Sequence, residues 1–148
     1  TVGVIMLILV VGLLGIWKAH GLITSKQDSY REVRLSAEWI QENSGPDDVV
    51  YSNSGTMTAY YSNRKVHFFP ESETIFLAEL ERTKPKFMII SGFEAHPPYV
   101  FEFPQKYTNN IFPVKVYTQE TSKQPLLIVY AFSYTNTTAI ATNTNSIA

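Results

Sequence analysis

The sequence predicts an α/β domain: a small three-layer, Rossmann-like sheet, mostly parallel, with an antiparallel C-terminal hairpin and a transmembrane helix in front of it. Three observations lead there. Short β-branched or aromatic runs at Val49–Ser52, Lys65–Phe69 and Phe87–Ile90 alternate with segments of helical periodicity, the pattern of repeated strand–helix units. Two later runs, Val114–Tyr117 and Leu126–Phe132, are separated only by the polar Thr118 to Pro125, too close for a helical crossover. The first residues, Thr1 to Trp17, carry no charge and are dominated by Val, Ile, Leu, Gly and Met.

At about 1.5 Å per residue that apolar run covers roughly 25 Å, a little less than the ~30 Å core of a bilayer. It reads as the end of a transmembrane span, residues 1–23, the last of a truncated polytopic region. A cleaved signal peptide is the competing reading. No basic residue precedes the run, and no small-residue cleavage pattern follows it before Lys18-Ala19-His20.

An α/β domain is expected over residues 24–132. Asp28 or Ser29 can cap a helix running to Asn43, with Tyr30, Val33, Ala37 and Ile40 on its inner face and Gly45-Pro46 as its stop. Leu35 and Trp39 lie on a different face. They either pack under a loop of the same domain or meet a partner. The Val49–Ser52 strand leads into a short helix, Thr56–Ser62, capped by Ser54, and then into the strand Lys65–Phe69, ended by Pro70. Ser72 caps a third helix through Arg82, which buries Phe76, Leu77 and Leu80 and ends at Pro85. Glu71, Glu73, Glu79 and Glu81 surround that helix and are expected to be mostly solvated, the first two also suiting its N-terminus.

Phe87–Ile90 is continuously apolar, as a strand covered on both faces reads. After Gly92, the residues Tyr99, Val100, Phe103 and Tyr107 form one helical face starting at Pro97-Pro98. The last two strands then form a hairpin at one edge of the sheet. Residues 133–148 are rich in Thr, Asn, Ser and Ala without aliphatic periodicity and read as a disordered tail. Asn136-Thr137-Thr138 within it matches a glycosylation sequon.

Composition narrows the chemistry. With 148 residues and 45% hydrophobic content the chain can bury one compact core. Its 12 basic and 13 acidic residues leave a net charge of -1, so no nucleic-acid partner is expected. The absence of cysteine removes disulfides, thiolate metal sites and a cysteine nucleophile. His20, His67 and His96 fall in different elements and none has an acidic or histidine neighbour at ligand-like spacing, so they read as surface or interface histidines; no metal site and no cofactor are expected. Asp47 and Asp48, in a turn before a strand, read as turn and solubilising residues rather than as a catalytic pair.

In a parallel sheet, ligands sit beyond the carboxyl ends of strands, which directs attention to Ser52, Asn53, Ser54 and Gly55. Their backbone N–H groups can face an anion at a helix start, although capping alone accounts for the pattern, and neither a P-loop nor a dinucleotide fingerprint is present. Ser52 or Ser54 as a nucleophile lacks an identifiable base. Tyr60, Tyr61 and Arg64 complete the candidate group, because aromatic faces stack on sugars and a guanidinium grips phosphate at two points. In the plainer reading one tyrosine packs in the core and Arg64 lies on the surface. If the sheet is doubly wound, Ser52–Gly55 and the loop at Ser91-Gly92 share one end of it, with Tyr60, Tyr61 and Arg64 lining the same depression.

The succession of a membrane helix, a helix ending Ala37-Glu38-Trp39-Ile40-Gln41-Glu42-Asn43, a Gly45-Pro46-Asp47-Asp48 turn, the strand Val49-Val50-Tyr51-Ser52 and then Tyr60-Tyr61-Ser62-Asn63-Arg64 resembles a known arrangement. It is similar to the C-terminal soluble domain of polytopic GT-C membrane glycosyltransferases, in the branch related to protein O-mannosyltransferases and lipid A aminoarabinose transferases. The resemblance covers roughly Val33 to Phe132 as a pattern of elements. It implies a domain outside the cytoplasm whose partners are the membrane, the rest of the transmembrane region, and a polyprenyl-phosphate sugar or its acceptor. It also implies a catalytic acidic residue in a loop that would precede Thr1, so no residue here inherits the catalytic role. The basic flank Lys18, Lys26, Arg31 and Arg34 runs against that topology under the positive-inside rule. A single-pass, membrane-tethered binding or interaction module with no enzymatic activity is the reading from another class.

Overall fold

The structure, a computed structural model, describes residues 30–118 and 123–134. The chain divides into two compact units, residues 1–31 and 32–148, and apart from Arg31 the elements below belong to the second. The expected transmembrane helix and the sequon at Asn136 lie outside the described residues, as does the expected tail beyond Tyr134. Among the described residues no helix is long and apolar enough to cross a membrane.

The elements follow in the order α1 (Arg31–Asn43), β1 (Val49–Tyr51), α2 (Gly55–Ser62), β2 (Lys65–His67), α3 (Glu73–Thr83), β3 (Phe87–Ser91), α4 (Tyr99–Lys106), β4 (Ile111–Thr118) and β5 (Pro125–Phe132). They build one mixed five-stranded sheet in the order β2-β1-β3-β5-β4. β1 pairs in parallel with β2 and β3, whereas β5 runs antiparallel to both β3 and β4. Four strands therefore point the same way and only β5 is reversed, so the sheet has a carboxyl rim and an amino rim.

Helices cover both faces. Phe76 and Leu80 of α3 and Val100 and Phe103 of α4 pack with Tyr51, Met88 and Ile90. Val33 and Ile40 of α1, with Met57 of α2, pack with Val50, Ile89 and Val129. The alternation of side chains along β1 and β3 feeds these two cores, and every residue of β3 is buried. On the first face Phe76 meets four rings, with centroids at 5.0 Å from Tyr51, 5.5 Å from Phe69, 4.9 Å from Phe103 and 5.8 Å from Tyr99. Each such pair adds about 0.5–1.5 kcal/mol to simple burial.

Local signals fix the helix ends. Ser72 accepts from the Ile75 N–H at 3.3 Å and starts α3, while Lys84 in the left-handed region closes it through a 2.9 Å bond to the Leu80 carbonyl. Asn63, also left-handed, closes α2 on the Ala59 carbonyl at 3.0 Å.

Several expectations are corrected. Tyr30 is exposed, so the inner face of α1 starts at Val33. The hairpin does lie at the sheet edge, but β5 is an interior strand, paired with β3 from Phe87↔Ala131 to Ser91↔Leu127, and only β4 is peripheral. β1 and β2 end at Tyr51 and His67, earlier than the apolar runs, because after the Ser52 N–H bonds the His67 carbonyl at 2.9 Å both chains turn away. Glu79 is not simply solvated, since its carboxylate accepts the Tyr51 hydroxyl at 2.7 Å. Glu73 likewise pairs with Lys106 at 2.7 Å and accepts from Tyr107 at 3.1 Å, tying α3 to α4. Trp39, half-buried, settles edge-on against Phe87 at 5.5 Å, inside its own domain. Past β5, the Tyr134 hydroxyl donates to the Pro85 carbonyl, so packing continues two residues beyond the strand.

Candidate functional site

Parallel pairing of β1 with β2 and β3 brings three loops together at the carboxyl rim: Ser52–Ser54, Phe68–Ser72 and Gly92–Pro98. Asn53 ties all three. Its amide nitrogen donates to the Ala95 carbonyl, and its amide oxygen accepts the Phe69 N–H at 3.4 Å. Gly55 opens α2 against the ring of Phe68, which a Cβ at that position would meet at 2.6 Å. Glycine is therefore what lets this ring lie across the helix start.

Glu94 is the polar centre of the rim. One carboxylate oxygen accepts the Ser54 hydroxyl and the other accepts the fully buried Ser91 hydroxyl at 2.7 Å. Ser54 occupies the N-cap position of α2 yet makes no side-chain cap bond, because its hydroxyl is committed to Glu94. The chain's own carboxylate thus stands beside the helix start that the sequence marks as an anion position. Ser52 is also committed, its hydroxyl lying 3.0 Å from that of Thr58, both side chains fully buried.

His96 flanks this group. Its Nε2 lies 3.0 Å from the Ser91 carbonyl oxygen and 3.3 Å from the Ser91 nitrogen. The shorter contact assigns the proton to Nε2, which donates to the carbonyl, and leaves Nδ1 buried with no partner among the described residues. The ring is wedged edge-on between Phe69 at 5.7 Å and Phe101 at 5.3 Å. Burial among these groups lowers the His96 pKa and outweighs the nearby Glu94 charge and the Ser91 backbone bond, which act the other way.

Ser91, His96 and Glu94 include the residue types of a hydrolytic triad, but not its geometry. In a triad the carboxylate holds Nδ1 of the histidine while Nε2 takes the serine proton. Here Glu94 binds the serine directly, Ser91 Oγ is 3.4 Å from Nε2, and Nδ1 faces no carboxylate. Among the described residues no three His, Asp or Glu side chains converge as metal ligands.

The other candidate residues lie elsewhere. α2 starts at the carboxyl rim and runs back along β1, so its last turn and Arg64 reach the amino rim. Half-buried Arg64 donates there to Ser44 Oγ at 2.8 Å, the Ser44 carbonyl at 2.7 Å, the Gln41 carbonyl at 2.9 Å and the Asn63 carbonyl at 3.0 Å. It clamps the end of α1 to the α2–β2 turn. Nearby, burial pushes the Asp48 carboxyl up, but the Gly45 N–H, Lys86 at 3.0 Å and the Arg64 charge together hold its pKa below the usual value. Tyr60 is 79% exposed and meets Tyr61 edge-on at 5.0 Å. The structure therefore brings Ser52, Asn53, Ser54 and Gly55 together with the Ser91-Gly92 loop, and it separates Tyr60, Tyr61 and Arg64 from them.

Sequence reasoning passed over Glu94 and read His96 as a surface or interface histidine, whereas the structure half-buries its ring between Phe69 and Phe101. The signal that could have found them is their position, three and five residues past the buried strand end at Ser91, by the same rule that selected Ser52–Gly55. No protein-family description, curated protein or solved structure matches this chain.

Proposed function

We propose that the chain is the C-terminal part of a polytopic membrane glycosyltransferase that moves a sugar from a polyprenyl-phosphate donor to an acceptor. In this reading the Rossmann-like domain is accessory, lies on the extracytoplasmic side, and contains none of the residues that perform the transfer. The observation carrying it is the state of the carboxyl rim. Ser52, Ser54 and Ser91 have their hydroxyls bonded within the domain, and both oxygens of Glu94 are engaged by two of those serines. A general base must have a lone pair aimed at a substrate proton and a nucleophile must be reachable; here the serine hydroxyls are held in internal bonds and His96 Nδ1, which keeps its lone pair, is buried.

Such a rim supports a role in holding shape and presenting a surface next to a membrane region that carries the chemistry. The order of helix, Pro-Asp turn, strand and short helix supports the same family reading. Reading the gene upstream of Thr1 tests it. Several apolar spans and an acidic residue in an early loop are expected; an initiation codon within a few residues of Thr1 would leave a single-pass tethered module instead.

A further inference from the structure

The ring of His96 occupies a slot with two unlike walls. On one side stands Phe69, only 7% exposed and itself packed on Tyr51 at 5.8 Å and Phe76 at 5.5 Å; on the other stands Phe101, 48% exposed. Nε2 is taken by the Ser91 carbonyl, so a second proton goes to Nδ1, the atom that is buried with no partner among the described residues. An imidazolium N–H enclosed by phenyl rings without an acceptor has lost its hydration and gained no bond in exchange, which is costly for a charged group. Turning out past Phe101 into water relieves that cost.

Little charge bears on the slot. Glu94, on the same loop, favours the imidazolium, but its two oxygens are engaged by Ser54 and Ser91, and burial of the ring outweighs it. β3 and α2 bring no acidic or basic side chain, and His67 at the end of β2 leans on Tyr51 at 5.5 Å. Glu71 and Glu102, on the elements that carry Phe69 and Phe101, are exposed.

The loop that carries His96 is fastened so that it can leave alone. Gly92 is anchored by its N–H to the Leu126 carbonyl at 2.8 Å, and the Pro97 carbonyl accepts the Val100 N–H at 3.0 Å. Between these anchors the described bonds that hold Glu94, Ala95 and His96 all involve a side chain: Glu94 with Ser54 and Ser91, the Ala95 carbonyl with Asn53, and His96 with the Ser91 carbonyl. None of them belongs to the strand ladder. Such a segment opens at a lower free energy than the domain as a whole.

We infer that the loop 92–98 is an acid-released latch: protonation of His96 at Nδ1 drives the ring from between Phe69 and Phe101 and lifts Glu94 and Ala95 off Ser54 and Asn53, while the sheet stays folded. Release sets in as the pH falls below the ordinary histidine value of 6.5. It uncovers the start of α2 and the Ser91 hydroxyl, and it depends neither on sugar transfer nor on residues 1–31.

The chain has no cysteine, so spin labels can be placed in pairs at exposed positions. Ala95→Cys with Ala78→Cys reports the loop against α3, and Ala78→Cys with Val116→Cys reports the domain beneath it. Distances are measured by pulsed electron paramagnetic resonance on residues 1–148 from about pH 7.5 to about pH 4.5, a range that spans histidine titration. The latch predicts a longer and broader 78-to-95 distance at the acid end, with an unchanged 78-to-116 distance. His96→Asn, which keeps a donor for the Ser91 carbonyl but takes no proton, should hold the loop at its neutral-pH distance throughout. His96→Phe, which fills the slot without a titrating nitrogen, should do the same, and Glu94→Gln should still open. A 78-to-95 distance that does not change with pH in the parent chain overturns the inference. So does a shift that persists in both His96 variants or vanishes in Glu94→Gln, either of which puts the trigger elsewhere. A shift shared by the 78-to-116 pair overturns it as well, because the whole domain is then unfolding.

Discussion

The Ser54 hydroxyl donates to the Glu94 carboxylate and leaves its own helix uncapped, so the start of α2 is secured by a residue 40 positions later in the chain. The same carboxylate holds the buried Ser91 hydroxyl. Replacing Glu94 with Ala strips both partners at once, and a buried hydroxyl left unsatisfied costs about 1–3 kcal/mol. Glu94→Gln should lose less, because its amide can still bond both serines. Ser54→Ala should be the mildest, since Ser91 keeps its acceptor. Urea denaturation midpoints give the order; equal stability of Glu94→Ala and the parent chain would show that Glu94 does not organise the rim.

Arg64 makes a second, separate prediction. Four hydrogen bonds from one guanidinium to α1 and to the α2–β2 turn make it structural, and Arg64→Ala should destabilise the domain by about 1–3 kcal/mol. Arg64→Lys should recover little, because an ammonium cannot reproduce the planar fork that reaches Ser44 and Gln41 together. A change below about 0.5 kcal/mol in denaturant unfolding, the range of an ordinary surface substitution, would contradict the clamp.

His96 predicts a pH dependence. Burial lowers its folded pKa below the ordinary value of 6.5, so between the two values the unfolded chain binds more protons than the folded one. Stability is then fully present above 6.5 and falls as the pH drops toward the folded pKa. His96→Asn should flatten that part of a melting temperature-versus-pH curve. An unchanged slope between the parent chain and the variant would remove His96 as its source.

These residues mark how far the sequence could be read. Ser72 and Pro85 announce α3 within a few positions, and the continuous Phe87–Ile90 run announces a buried strand, because caps and burial patterns are local. The interior place of β5 depends on Leu127 finding Ser91 across a long chain separation, and nothing near Leu127 encodes it. The separation of Arg64 from Ser52–Gly55 is a matter of direction. Residues a few positions apart were expected to share a depression, yet the eight-residue α2 runs from one rim to the other, about 12 Å. Asn53 and Gly55 were legible as rim residues by strand order, whereas Glu94 and His96 sit in a proline-punctuated loop whose path depends on contacts with residues distant in the chain, among them Asn53, Ser54 and Phe69.

Topology provides a further expectation. If the domain lies outside the cytoplasm, a reporter fused after Tyr134 in the full-length protein should be active only in an extracytoplasmic assay. Activity confined to the cytoplasm would side with the basic flank at Lys18, Lys26, Arg31 and Arg34 and against the family reading.

Glycosyl transfer from a polyprenyl-phosphate sugar, measured side by side for the complete reading frame and for residues 1–148 alone, tests the central claim most directly. On the proposed reading a longer protein containing this chain transfers sugar, and residues 1–148 alone, which would lack the catalytic carboxylate, transfer none. Transfer by the fragment alone, or none by the complete protein with the donors of this family, would contradict the assignment.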